Sequence, residues 1–388
     1  MSSMSRVHYM DNLRAFAMLL GVLFHAALAY GPMLSQVWPT AAHENSIAMD
    51  VFAYFSHTFR MPLFFILAGF FAALLTKKYG SVGMIKNRLS RVTLPFVIFL
   101  PVVIASYVII FGWAIENINN KSSMLQMMSF MAQNPDAPSP PLTTTHLWFL
   151  YNLTFFYLLT LIIVKWSKWD WGSQVFKSPL TFILVAPMLL VPALVTQHAP
   201  IPAPEQFMPQ LWSFGFYGLF YLLGWGLYQY PAFIEKLSPY RWFMLIAGVV
   251  AYVVFFRLMP SSISMEDSLA LMSPPDFSLR QLGIAALEVY VGVYMSLCLL
   301  VWGQRYADVR HSLVKFIADS SYWIYIIHLP VLWFIQFKLL DTKFSMLTQF
   351  AMSSLGTLFI GLLTYVVFVK WTPIGWLLNG RRAAPKSE

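Results

Sequence analysis

Ten apolar stretches divide this chain, at 12–31, 49–75, 92–114, 147–164, 179–197, 211–229, 242–259, 281–303, 318–337 and 345–369. Each is close to the ~20 residues that a helix needs to cross a bilayer. Backbone groups in lipid must bond within their own segment, so stretches of this kind become helices. The composition agrees: 59% of the 388 residues are hydrophobic and 11% charged, against roughly 45–50% and 25% in soluble domains. The pattern predicts an all-α, polytopic integral membrane protein with about ten helices, forming one domain over residues 1–388. Cys298 is the one cysteine, which excludes an intrachain disulfide and a Cys-based metal site.

The net charge of +9 reads as topology and not as a nucleic-acid surface. With the N-terminus in the cytoplasm and the spans alternating, 18 of the 25 Lys and Arg residues fall on the cytoplasmic side. Five fall on the other side (Lys121, Arg257, Arg280, Lys338 and Lys343), and Arg14 and Arg60 sit at or inside spans. This excess of cytoplasmic Lys and Arg puts both termini inside. Arg6, the run 15–24 and Ala27-Leu28-Ala29 imitate a signal peptide, but Asp11 and Arg14 before the run and His25 after it oppose that reading. The segment 134–141 holds four prolines and is a loop.

Ionisable residues inside a membrane cost roughly 2.5–3.5 kcal/mol each on insertion scales, so each needs a reason. Arg14 and His25 in the first span are eleven residues apart, about three turns and ~16 Å along one helix face. They describe a polar track from the cytoplasmic edge into the bilayer. The second span holds His57-Thr-Phe-Arg60-Met-Pro62 and then Phe64–Phe70, where Pro62 predicts a kink or break and Gly69 a close helix approach. Lys86-Asn-Arg88-Leu-Ser-Arg91 suits an anionic head group or a phosphate. His146-Leu-Trp148-Phe-Leu opens the fourth span, and Ser321, Tyr325 and His328 share a face of the ninth, before Pro330. Glu288 in the eighth span must be protonated, paired or in a wet cavity. The chain has no zinc-protease motif, phosphate-binding glycine loop or nucleophile elbow.

Taken in this order, these motifs resemble the integral membrane acyltransferase-3 family over essentially the whole chain. The resemblance rests on Arg14-x10-His25, Phe64–Phe70, Lys86–Arg91, His146–Leu150 and Tyr325–Pro330. Tyr9–Ala15 and Ser56–Met61 are most similar to the branch that contains the succinyltransferase of osmoregulated periplasmic glucans. Ala68 departs from the pattern, since the family usually has Ser before the Gly.

The resemblance implies an acyltransferase of the bacterial inner membrane. It would move an acetyl or succinyl group from cytoplasmic acyl-CoA to a hydroxyl of an envelope carbohydrate, with no metal and no nucleic-acid partner. Arg14, Arg60, Arg88, Arg91 and Tyr325 would bind acyl-CoA, arginine suiting phosphate through its two-pronged donor geometry. His25, His328 and Glu288 are the catalytic candidates, with His25 as general base or covalent acyl relay. His57, His146 and Trp148 would lie toward the acceptor. A transporter or flippase of a lipid-linked sugar is the alternative. It would favour matching interrupted helices in two halves, and only one interrupted span, near Pro62, is visible.

Overall fold

The computed structural model describes residues 8–134, 136, 141–166, 174–260, 273–309 and 311–380. Arg6, Lys168, Arg310, Arg381, Arg382 and Lys386 of the charge pattern lie outside these residues, as does most of the proline-rich loop. The described residues are helical with no strand, and Thr143 and Gln206 form an isolated bridge. The main helices are α1 (His8–Ala27), α2 (Ile47–Arg88), α3 (Leu94–Asn117), α4 (Ser123–Gln133), α5 (Trp148–Trp166) and α6 (Leu211–Gln229). They continue with α7 (Arg241–Leu258), α8 (Leu279–Tyr306), α9 (Ser312–Leu340), α10 (Met346–Thr364) and α11 (Pro373–Asn379). The 179–197 stretch is broken into short helices at Pro179–Val185 and Val191–Leu194, because Pro187 and Pro192 interrupt it.

Among the described residues, six stretches are long and apolar enough to cross a membrane: Ile47–Asn117, Thr145–Ile162, Ala232–Leu258, Leu279–Tyr306, Ser312–Leu340 and Met346–Val369. The protein is turned inside out relative to a soluble fold. Val108, Ile109, Ile246, Leu355 and Phe359 are more than 60% exposed on outward faces, while Asp50, Arg60, Glu288, His328 and Gln336 are buried. This is the distribution that lipid favours, since polar groups find partners only between helices.

α2 runs on through Pro62, and its non-helical residue is Gly80 (φ 73°). The expected break therefore lies eighteen residues beyond the proline. Pro62 removes one helix hydrogen bond, to Thr58, which neighbouring helices cover: Gly292 of α8 packs against the Thr58 carbonyl, which a β-carbon there would meet at 2.8 Å. Antiparallel α2 and α6 cross through a reciprocal glycine pair. A β-carbon on Gly69 would lie 1.9 Å from the Tyr221 carbonyl oxygen, and one on Gly224 would lie 1.8 Å from that of Ile66.

α1 and α9 run parallel, and this pairing sets the centre of the molecule. Arg14 donates to the Ala318 carbonyl, His25 meets His328, and Gln336 donates to the Ala26 carbonyl. The chain then folds back through 28–46, where Asp50 of α2 accepts from the Met33 and Leu34 amides.

Candidate active site

One cavity of about 750 Å³ runs through the interior. At one end it is lined by Asp11, Arg14, Arg88, Arg91, Asp319 and Asn379, near the start of α1. In the middle stand His25, His57, Arg60, Tyr325 and His328, and at the far end Trp38, Thr143, Thr145, Ala203, Glu205 and Trp333. The sequence therefore marked ten residues that share one space: Arg14, His25, His57, Arg60, Arg88, Arg91, His146, Trp148, Tyr325 and His328. Ala68 lines it too.

The histidine pair has a defined hydrogen-bond direction. His328 Nδ1 lies 2.7 Å from the Tyr325 carbonyl, which can only accept, so Nδ1 carries the proton. In neutral His328 the Nε2 lone pair then accepts from His25 Nδ1–H at 3.1 Å. This leaves the Nε2 lone pair of neutral His25, which has no partner among the described residues, open to the cavity. Trp38 stacks on the His25 ring at 6.1 Å and 16°. The arrangement is that of an oriented base: one nitrogen held, the other presented.

Arg60 is 5% exposed. Its guanidinium carbon sits 4.1 Å over the Phe24 ring, and its Nη1 donates to the Gly21 carbonyl at 3.4 Å. No carboxylate among the described residues pairs with it. A buried cation compensated by one ring face and a carbonyl keeps donors for an anion in the cavity. Toward the α1 start, Arg14 pairs with Asp11 at 3.3 Å, and Arg88 lies over Tyr157 at 5.5 Å with its Nε buried and unpartnered among the described residues. Arg91 donates to the Asn379 carbonyl at 3.4 Å, and Asn379 to that of Asp319.

The remaining marked residues bond mainly to protein groups, although the Nδ1 of His57 is buried in the cavity wall with no hydrogen-bond partner among the described residues. Pro330 has no amide hydrogen, so it leaves the Ile326 carbonyl of α9 without its helix partner. His146 Nε2 donates to that carbonyl at 3.1 Å, its Nδ1 accepts from the Tyr107 hydroxyl at 2.6 Å, and Tyr325 donates to its backbone carbonyl at 2.6 Å. Both ring nitrogens of His146 are thus spent on protein groups. Trp148 packs on Phe65 and Tyr217. Glu288 stands outside the cavity lining: its carboxyl accepts from the Ile201 amide at 2.7 Å, while His57 donates to the carbonyl of the same residue at 2.6 Å. The two clamp both polar groups of Ile201 and so fasten the loop that carries Glu205.

Sequence reasoning passed over Trp38, Tyr107, Thr145, Glu205 and Trp333. The aromatic ones read as ordinary interfacial residues, and Glu205 lies in a proline-bearing loop without periodicity. Burial lifts the Glu205 carboxyl to about 7. The signal that was available is Thr143-Thr-Thr-His146, a polar run directly before the fourth span. Among the described residues, no group of three or more His, Cys, Asp or Glu is disposed to hold a metal ion.

Fold and cavity together define a multi-pass helical membrane protein with an oriented histidine pair between an arginine-lined end and a tryptophan-lined end. The chain belongs to the acyltransferase-3 family, whose acyltransferase domain matches residues 7–367, and it is an acyltransferase. Among its relatives, the glucans biosynthesis protein C of Salmonella paratyphi B and that of Salmonella dublin are each 23% identical over 391 residues. Those alignments cover 97% of this chain and 95% of theirs. The protein of the same name from Salmonella heidelberg is 23% identical over 392 residues. No solved structure matches the chain.

Proposed function

We propose that this acyltransferase moves an acetyl or succinyl group from cytoplasmic acyl-CoA to a hydroxyl of a cell-envelope glycan, such as a periplasmic glucan. It does so as one domain in the bacterial inner membrane, crossing about ten times with both termini in the cytoplasm. The observation that carries the reading is the His25–His328 pair, set midway along a cavity whose two ends differ in chemistry. The names of the relatives point to a glucan acceptor.

Arg14, Arg88 and Arg91 hold the donor's phosphates at the cytoplasmic end, and the thin pantetheine arm follows the α1 face inward past Tyr325. His25 Nε2 takes the proton of the acceptor hydroxyl as its oxygen bonds to the thioester carbonyl carbon. His328 keeps the ring oriented through His25 Nδ1. The Arg60 donors meet the oxygen that gains negative charge. The C–S bond then breaks, and the proton on His25 passes to the CoA sulfur. Direct transfer is favoured over an acyl-histidine, because an acyl-imidazole facing a wet cavity hydrolyses.

Mass spectrometry of envelope glycans from cells with and without the gene tests the reading. Glycans that lose one acetyl or succinyl mass per modified site in the deletion are expected. Identical mass profiles would overturn it.

A further inference from the structure

The far end of the cavity holds polar groups that the protein itself leaves unsatisfied. The Trp333 indole N–H and the Thr145 hydroxyl are buried and make no hydrogen bond among the described residues. Thr145 also has φ 51°, a left-handed conformation that a β-branched residue rarely adopts and that tends to mark functional positions. Its backbone is held there by neighbours: the Thr144 amide and hydroxyl both donate to the Glu205 carbonyl, at 2.8 and 2.9 Å. Trp38 and Trp333 present tilted rings 5.5 Å apart, and Gln336 fixes Trp38 by accepting from its indole N–H at 3.2 Å. The Glu205 side chain lines the same end and has no ion-pair partner among the described residues.

We infer that Trp38, Trp333, Thr145 and Glu205 form a saccharide-ring subsite for the acceptor. The chemistry fits a sugar on each count. Ring C–H groups pack on the partly exposed Trp38 indole, while hydroxyls meet the Trp333 indole donor, a hydroxyl and a carboxylate acceptor. The Trp38 ring lies 6.1 Å from the His25 ring, so a sugar held at this end sits next to the histidine pair. His146, expected on the acceptor side, then acts as a support, because both its ring nitrogens bond to Ile326 and Tyr107, whereas His57 bonds Ile201 through one nitrogen and keeps Nδ1 without a partner among the described residues. The inference rests on the acyl-transfer reading for its role, but the subsite can be tested by binding alone.

The test uses the purified full-length protein in lipid nanodiscs, with a β-linked glucopentaose as probe and acetyl-CoA or succinyl-CoA as donor. Calorimetric titration should detect glucopentaose binding that weakens about ten-fold or more in Glu205→Gln and in Trp333→Phe, which keeps the ring and deletes the N–H. Thr145→Ser should bind more tightly than Thr145→Val. Trp242→Phe, on the outer surface, should change nothing. In the transfer assay the acceptor KM should rise by the same factor, with the acyl-CoA KM within about two-fold of wild type. Unchanged affinity in both Glu205→Gln and Trp333→Phe overturns the subsite, even where transfer proceeds. Sugar binding that these variants lose, in a protein that transfers no acyl group, supports the subsite and overturns the acyl-transfer reading instead. Wild-type protein that neither binds nor modifies glucopentaose overturns both the subsite and the glucan acceptor.

Discussion

At the scale of single residues, the proposed mechanism separates bases from struts. His25→Ala should fold and bind acyl-CoA yet lose transfer by at least ~10²-fold per folded molecule, because general base catalysis contributes roughly 10²–10⁴. His328→Ala keeps the base and loses its orientation, so a smaller loss, on the order of ten-fold, is expected. Turnover measured beside melting temperature distinguishes both from a packing defect. Glu205 provides a pH signature. Its carboxyl titrates near 7, so the charged acceptor form is present above that pH and is lost as pH falls through it. Tyr107 and Tyr325, which sense its charge, are phenols that stay neutral across this pH range. Glucopentaose affinity measured by calorimetry should therefore decline below pH ~7 in wild type and stay flat in Glu205→Gln. Arg14 and His25 were legible from the sequence because polar residues on one face of an apolar helix have no local explanation. His146 and Glu288 looked equally functional. Their partners, the Ile326 carbonyl and the Ile201 amide, lie 180 and 87 residues away, so their supporting roles follow from packing.

At the scale of elements, two helix features carry the site. Pro330→Ala would restore an amide hydrogen to α9, and that hydrogen would compete with His146 for the Ile326 carbonyl. Alanine also has the higher helix propensity, by about 3 kcal/mol. The expected outcome is an undiminished melting temperature with transfer reduced several-fold, a combination that a simple packing proline would not produce. The α2–α6 crossing behaves in the opposite way. Gly224→Ala adds a methyl group that would collide with the Ile66 carbonyl oxygen, where overpacking costs typically about 1–3 kcal/mol. A thermal melt in detergent should show a clear fall in midpoint. The glycine pair was half legible, since Gly69 marks a close approach. Its partner Gly224 sits among the other small residues of an aromatic stretch and gains meaning from the crossing alone.

At the scale of the molecule, the proposed transfer from cytoplasm to envelope requires a sided protein. A membrane-impermeant label on an introduced cysteine in the 134–141 loop should react from outside, and one in the 77–91 segment should stay protected in intact cells. The reverse pattern would sink the direction of transfer. The cavity supports that direction, because its arginine end adjoins the segment with the densest basic charge, and its tryptophan and glutamate end adjoins the segments 143–147 and 195–210.

The sequence by itself determined that the chain is helical, membrane-embedded and built on an Arg14–His25 face, because apolar length and helix periodicity are local quantities. It also named most of the charged residues and histidines that line the cavity, since a charge in an apolar span is conspicuous wherever it stands. Only the tertiary structure decided which nitrogen of which histidine is free, that Glu288 and His57 hold a loop, and that Trp38, Thr145, Glu205 and Trp333 meet. Those outcomes depend on hydrogen-bond partners and ring contacts between residues far apart in the chain, and no local pattern encodes which distant carbonyl, amide or ring a buried side chain will find.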